Sequence, residues 1–238
     1  QAHFWLVLGA AGLATALGWT VTAAARRRRD ARLLLISLAF VASSGFLGLH
    51  ALATPTVLLG PNAGFELATP VGLVVAGAFA AASSLELSPA RASGVVRRAG
   101  LLLGGLVALM ALWAVVSLAE LPPLDSPLAA EQLDGWQLVL AAIGLALFGL
   151  AALGFVRLYR RRPALVLLGV TTAWILLAEA MIAVAFARSW HASWWEWHVL
   201  MAAAFAIVAF TALRERERGE VFAGLYLDDT LGRIDRRQ

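Results

Sequence analysis

The chain predicts an all-α integral membrane bundle of seven transmembrane helices, with the N-terminus outside and the C-terminus cytoplasmic. Three observations carry that expectation. Of 238 residues, 61% are hydrophobic and only 14% charged, whereas a soluble domain carries about a quarter charged residues. Seven apolar runs are each long enough to cross about 30 Å of hydrocarbon, which takes roughly 20 helical residues. Between them the basic residues sit in short clusters that fall on alternate connections. The sequence pI near 10.8 therefore reflects membrane-flanking loops and not a nucleic-acid surface.

The runs follow in order. Residues 4–25 form the first, too long for a signal-peptide core and without a small-residue cleavage site ahead of its arginines, so it is read as a helix that stays. Beginning at Gln1 rather than Met, the chain is expected to lack an initial segment. Residues 33–52 form the second run and 71–87 the third, which Ser83, Ser84 and Glu86 dilute at its end. Residues 101–118, 136–156, 164–187 and 195–213 complete the set. Gly9, Gly12, Gly104, Gly105, Gly144 and Gly149 are expected to let these helices approach closely, since lipid supplies no hydrophobic force between them.

Orientation follows from arginine. Arg26, Arg27, Arg28, Arg29 and Arg32 follow the first run; Arg91, Arg97 and Arg98 follow the third; Arg157, Arg160, Arg161 and Arg162 follow the fifth; Arg214, Arg216, Arg218, Arg233, Arg236 and Arg237 follow the last. These segments share one side and only Arg188 lies on the other, so the positive-inside rule makes the arginine side cytoplasmic. The opposite side carries Glu66, Glu120, Asp125, Glu131, Asp134 and Glu196, with Trp5, Trp136, Trp190, Trp194, Trp195 and Trp197 as an aromatic belt. A multi-pass protein of the cell inner (plasma) membrane is expected. Residues 1–213 form its membrane domain and 214–238 a cytoplasmic juxtamembrane tail leading toward an output domain. That tail has alternating charges and then the apolar group Val221, Phe222, Leu225, Tyr226 and Leu227.

Two outer loops, 53–70 and 120–135, exceed the length a turn needs. The tetrapeptide Leu-Ala-Thr-Pro occurs near each end of the first, and Pro122, Pro123 and Pro127 stiffen the second. Long loops on a rigid scaffold often carry function, although a proline-rich cap would read the same way.

All four histidines, His3, His50, His191 and His198, fall on the outer side. Imidazole is the commonest metal ligand, and zinc or copper accepts three or four of them. His191 and His198 are seven residues apart, about 10 Å along one helix, so they share an ion only if His191 lies on a loop folding back. His50 and His198 lie at similar depth and form the core of a candidate site, which His3, His191 or Glu66 would complete. Two other readings stay open: interfacial histidines bonded to water and carbonyls, and a bis-histidine haem between the second and last helices. Glu179 is the one carboxylate well inside an apolar run, a candidate coupling group or partner beneath the histidines. A protonated Glu179 bonded to a neighbouring Ser or Thr is the blander alternative.

Other chemistries are excluded. All 19 basic residues are Arg, and without Lys there is no retinal Schiff base. There is no phosphate-cradling loop, no Gly-x-Ser-x-Gly elbow and no cysteine for disulfides or thiolate sites. No catalytic domain is legible, so no enzymatic activity is expected of this chain as given. Asp228 and Asp229 are too isolated for a two-metal site.

The segments Gly48-Leu-His-Ala-Leu-Ala-Thr-Pro55, Gly60-Pro-Asn-Ala-Gly-Phe65, Ser193-Trp-Trp-Glu-Trp-His198 and Val221-Phe-Ala-Gly-Leu-Tyr-Leu-Asp-Asp-Thr230 resemble the membrane module ahead of the catalytic domain in some actinobacterial class III adenylate/guanylate cyclases. The resemblance spans nearly the whole chain and implies a sensory module with a cytoplasmic output domain. Leu231-Gly-Arg-Ile-Asp departs from the pattern expected next, and the resemblance brings no activity with it.

The function expected is thus a receptor in which an extracytoplasmic ligand, zinc or copper, signals through the last helix. An intramembrane metal-dependent hydrolase using Glu179 or Glu196 as base is the first alternative, and a transporter with Glu179 on its path the second. The expected partners are the lipid bilayer, a second copy of the chain and the output domain, with no nucleic acid.

Overall fold

In the computed structural model, which describes residues 1–186 and 191–217, apolar runs bounded by capping residues become eight helices, with no β-strand among the described residues. They are α1 (Ala2–Arg28), α2 (Ala31–Leu52), α3 (Ala63–Ser84), α4 (Pro89–Arg97), α5 (Ala99–Leu118), α6 (Ala130–Arg161), α7 (Leu165–Phe186) and α8 (Ala192–Glu217). Seven are long and apolar enough to span a membrane; α4, of nine residues, is not. Arg188, Trp190 and the tail from Arg218 to Gln238, including Asp228 and Asp229, lie outside the described residues.

Caps set the boundaries. Arg29 adopts the left-handed conformation at φ 56°, which closes α1, and the Asp30 side chain accepts the Leu33 N–H to open α2. Asn62 caps α3 in the same way through Phe65 N–H at 2.9 Å. That cap starts α3 eight residues earlier than the run 71–87 predicts, so Glu66 lies in a first helical turn instead of a loop and Pro70 lies inside the helix. Likewise α6 begins at Ala130, with Glu131 favourably placed in its first turn, and takes in the last third of the loop predicted over 120–135.

Helix α2 is buried nearly all round, with α1 and α3 on its flanks and α5 against its outside. From α3 the packing continues through α6 and α7 to α8. Trp174 of α7 stacks on Phe40 of α2 and Phe148 of α6, with Phe155 at its edge, which joins the halves of the bundle. The chain's direction places the arginine clusters at one end, the arginine end, and His3, His50, His191 and His198 at the other, the histidine end. At the arginine end, α1 and α8 are held apart by an apolar cleft of about 340 Å³ lined by Leu17, Val21, Leu33, Val170, Phe205 and Val208.

The glycines that allow close approach are mostly not those expected. Gly9, Gly12, Gly104, Gly105 and Gly149 face open space, and of the six only Gly144 is covered, by Met181. The tightest approaches fall elsewhere: a Cβ on Gly72 would overlap Phe46 Cβ of α2. Because that atom is anchored next to the backbone, α2 and α3 would have to separate. Gly72→Ala is expected to cost about 1–3 kcal/mol and Gly104→Ala almost nothing, read as unfolding temperatures in detergent.

Candidate metal centre

Three helix ends meet at the histidine end. His3 belongs to the first turn of α1, His50 to the last turn of α2, and His198 lies nearly two turns into α8. All three are buried, with 3%, 4% and 9% of their surface exposed. One nitrogen from each lies within 4.8 Å of the other two, the single such group of three among the described residues. The shortest approach is His3 Nε2 to His198 Nε2, at 3.0 Å. Ligand nitrogens about 2.0–2.1 Å from a tetrahedral zinc stand about 3.3 Å apart, close to the His3–His198 spacing, while the His50 ring would have to draw in to share the ion.

The Nδ1 atoms determine which nitrogens are available. His50 Nδ1 lies 2.9 Å from the Phe65 carbonyl and His198 Nδ1 lies 3.1 Å from the Trp194 carbonyl. A carbonyl only accepts, so both Nδ1 atoms carry the proton and both Nε2 atoms keep a lone pair. His3 Nδ1 is 3.4 Å from Thr54 Oγ1, which itself lies 3.5 Å from the His50 carbonyl. Two proton arrangements satisfy these contacts. In one, the Thr54 hydroxyl donates to His3 Nδ1 and His3 Nε2–H donates to His198. In the other, Thr54 donates to the His50 carbonyl and His3 Nδ1–H donates to Thr54, which leaves the His3 and His198 Nε2 lone pairs 3.0 Å apart with no proton between them, an arrangement that only a shared cation makes favourable. Metal-bound histidines are normally held in this second way, through the other ring nitrogen.

His50 Nε2 is buried without a hydrogen-bond partner among the described residues. A lone pair left so costs on the order of 1–3 kcal/mol, and a cation among the rings removes that cost. Three neutral imidazoles suit zinc or copper and not calcium or magnesium, which require oxygen ligands. Aromatic rings flank the cluster: Phe65 stacks on His50 at 4.2 Å, Trp197 on His198 at 3.4 Å, and Trp194 lies 4.6 Å from both His3 and His198. A bis-histidine haem does not fit, because the His3 ring, 5.5 Å from His50 and 5.0 Å from His198, stands where the macrocycle would lie.

The remaining candidates sit elsewhere. His191 is exposed on the bend before α8, where its carbonyl accepts the Trp194 N–H, and it does not join the cluster. Glu66 accepts the Leu128 N–H at 3.2 Å and is not among the clustered ligands. It lines an adjoining cavity of about 50 Å³ together with His50, Thr69 and Pro70, and Thr69 Oγ1 is a second buried polar atom without a partner among the described residues. Glu179 faces outward from α7, neither beneath the histidines nor bonded to a neighbouring Ser or Thr among the described residues, and Glu196 is exposed on α8. Sequence reasoning missed Thr54 and the Phe65 and Trp194 carbonyls. Two of these had a readable signal, since Thr54 follows His50 by four residues and Trp194 precedes His198 by four. The third depends on where α3 begins. No protein-family model, curated protein or solved structure matches the chain.

Proposed function

We propose that this chain is a membrane receptor for a transition-metal ion, Zn²⁺ or a copper ion, held by His3, His50 and His198 on the extracytoplasmic side of the cell membrane. The observation that supports it above others is the convergence of three buried imidazoles whose Nδ1 atoms are all held by hydrogen-bond partners. Orientation rests on the arginine end being cytoplasmic, by the positive-inside rule. Inferred output runs through α8, whose far end leads into the basic tail, and the cyclase-module resemblance supports an output domain beyond it.

The mechanism follows from where the ligands reside. The ion would tie the start of α1 and the end of α2 to the start of α8, and α1 and α8 diverge toward the cytoplasmic end around the apolar cleft. A change of angle at the histidine end would therefore reach the tail through a rigid helix. A ligand shifts such an equilibrium only by binding one state better than the other. Losing one of three ligands when the helix ends separate supplies that difference.

A specific observation favours a second reading. Three protein ligands with a fourth position open is the donor count of catalytic zinc, and the 50 Å³ cavity beside His50 has room for water. In a hydrolase Glu66 would be the base, since it lines the cavity and Glu179 and Glu196 do not. A cavity of about 50 Å³ holds water but not a substrate, which is why the receptor reading is preferred. The outward position of Glu179 gives a transporter path no support.

Metal analysis of the purified chain tests the site: about one ion per chain is expected, and equal metal content in the His50→Ala and His198→Ala chains would sink it. Thr54→Val keeps every ligand but removes the hydroxyl that orients His3. It is expected to weaken the ion about 10–100-fold, measured by competition with a chromophoric chelator.

A further inference from the structure

The arginine end holds a second site of opposite character. Helices α3 and α6 approach so closely at Gly154 that a Cβ there would lie 2.6 Å from Ser84 Cβ. Past this floor α3 stops at Ser84 while α6 continues to Arg161, and a pocket of about 320 Å³ opens between them and α2. That volume falls in the range of small-molecule sites, about 300–1,000 Å³. Arg32, Arg157 and Arg161 line it, with Glu86 the one carboxylate, so three guanidinium groups face one acid.

These arginines differ in what already engages them. Arg161 pairs with Glu86 at 2.6 Å, but both side chains are largely exposed, at 68% and 77%, and such a pair is readily exchanged. Arg32 is anchored by its Nε, which donates to the Ser83 carbonyl at 3.2 Å at the end of α3. Its terminal nitrogens, and the whole Arg157 guanidinium, donate to nothing among the described residues. An anchored guanidinium with its fork unengaged is preorganised for bidentate contact with phosphate oxygens. Phe155 and Leu158 on the same wall are apolar, which suits the carbon portion of an ester.

We propose that this pocket binds a phosphate ester at the cytoplasmic membrane face. The sources with this chemistry are an anionic phospholipid headgroup and a soluble phosphate ester. Basic pockets between membrane helices on this side are suited to lipid headgroups.

Two arms separate the sources. In the first, the full chain is placed in phosphatidylcholine nanodiscs with a minor fraction of phosphatidylglycerol, and retained lipid is counted by native mass spectrometry. In the second, the chain in neutral detergent is titrated with glycerol 3-phosphate and followed by its unfolding temperature. Retention of phosphatidylglycerol that falls about fivefold for each arginine lost in Arg32→Gln and Arg157→Gln identifies the lipid. Stabilisation by glycerol 3-phosphate that both variants lose, without lipid preference, identifies the soluble ester. Arg157→Gln alone suffices if the Arg32 variant does not fold, because Arg157 is exposed and bonds nothing described. Arg97→Gln, on exposed α4 outside the pocket, must leave both readings unchanged. Equal losses in Arg97→Gln, or no difference between the unaltered chain and the pocket variants in either arm, overturns the proposal.

Discussion

Replacing His198 by alanine is expected to abolish stoichiometric zinc and copper binding, with affinity reduced by more than the about 10–100-fold that loss of an outer-shell partner costs. The reason is the ligand count. With three imidazoles the ion has three protein bonds; with two it loses one of them and must complete its coordination with more loosely held water. His3→Ala and His50→Ala should behave alike, because the three nitrogens lie within 4.8 Å of one another and none is peripheral. His191→Ala should bind as the unaltered chain does, since that side chain is exposed and apart from the cluster. The proton arrangement adds a second readout. Coordination requires three free Nε2 lone pairs, so protons compete with the ion, and occupancy must fall as the solution is acidified. The stack of Trp197 on His198 at 3.4 Å makes indole fluorescence a direct probe, which Cu²⁺ should quench. Unchanged metal content in His198→Ala, or full occupancy in His191→Ala and loss in none of the other three, would remove the site.

How far the sequence foretold this centre can be traced residue by residue. The seven spans were legible because hydrocarbon thickness demands a run length that few other structures need. That all four histidines lie at one end followed from counting spans, since alternate helix termini share a side. That His3 and not His191 completes the cluster did not follow. It depends on α1 lying beside α2, which the tight turn at Arg29 and Asp30 enforces, and on α8 returning to meet α1. The tetrapeptide Leu-Ala-Thr-Pro illustrates the limit. Its first copy ends α2 and leaves Thr54 beside His3; its second copy lies inside α3, with Thr69 facing a cavity. Local sequence is identical, and what differs is the Asn62 cap upstream of the second copy. Glu179 shows the same limit, because a helical run does not reveal which face looks outward once both flanks pack. The close-packing glycines were equally hidden: Gly72 and Gly104 differ only in what stands opposite.

Ion binding is further expected to move the arginine-end halves of α1 and α8 relative to each other, and the chain suits the measurement. It contains no cysteine, so Thr20→Cys with Leu213→Cys introduces the only two thiols, both lining the apolar cleft. Spin labels there report the α1–α8 separation by pulsed dipolar spectroscopy. Adding Zn²⁺ should shift the distance by about 1–2 Å, the scale of helix shifts in switching proteins, and should narrow its distribution. The narrowing follows because the ion fixes one end of both helices, while toward the other end both border the apolar cleft. In the same labelled chain carrying His50→Ala, the ion should change nothing. This experiment also divides the two readings of the site. A receptor needs the two states to differ in ligand geometry, and a shift from 1:99 to 99:1 requires about 10⁴-fold different affinity. Moving from three imidazoles to two as α1 parts from α8 can supply a difference of that order. A hydrolase needs no such motion, because its ion serves the cavity beside Glu66 with the helices at rest. Tight zinc binding with an unaltered distance distribution would therefore end the receptor reading and leave the catalytic one standing.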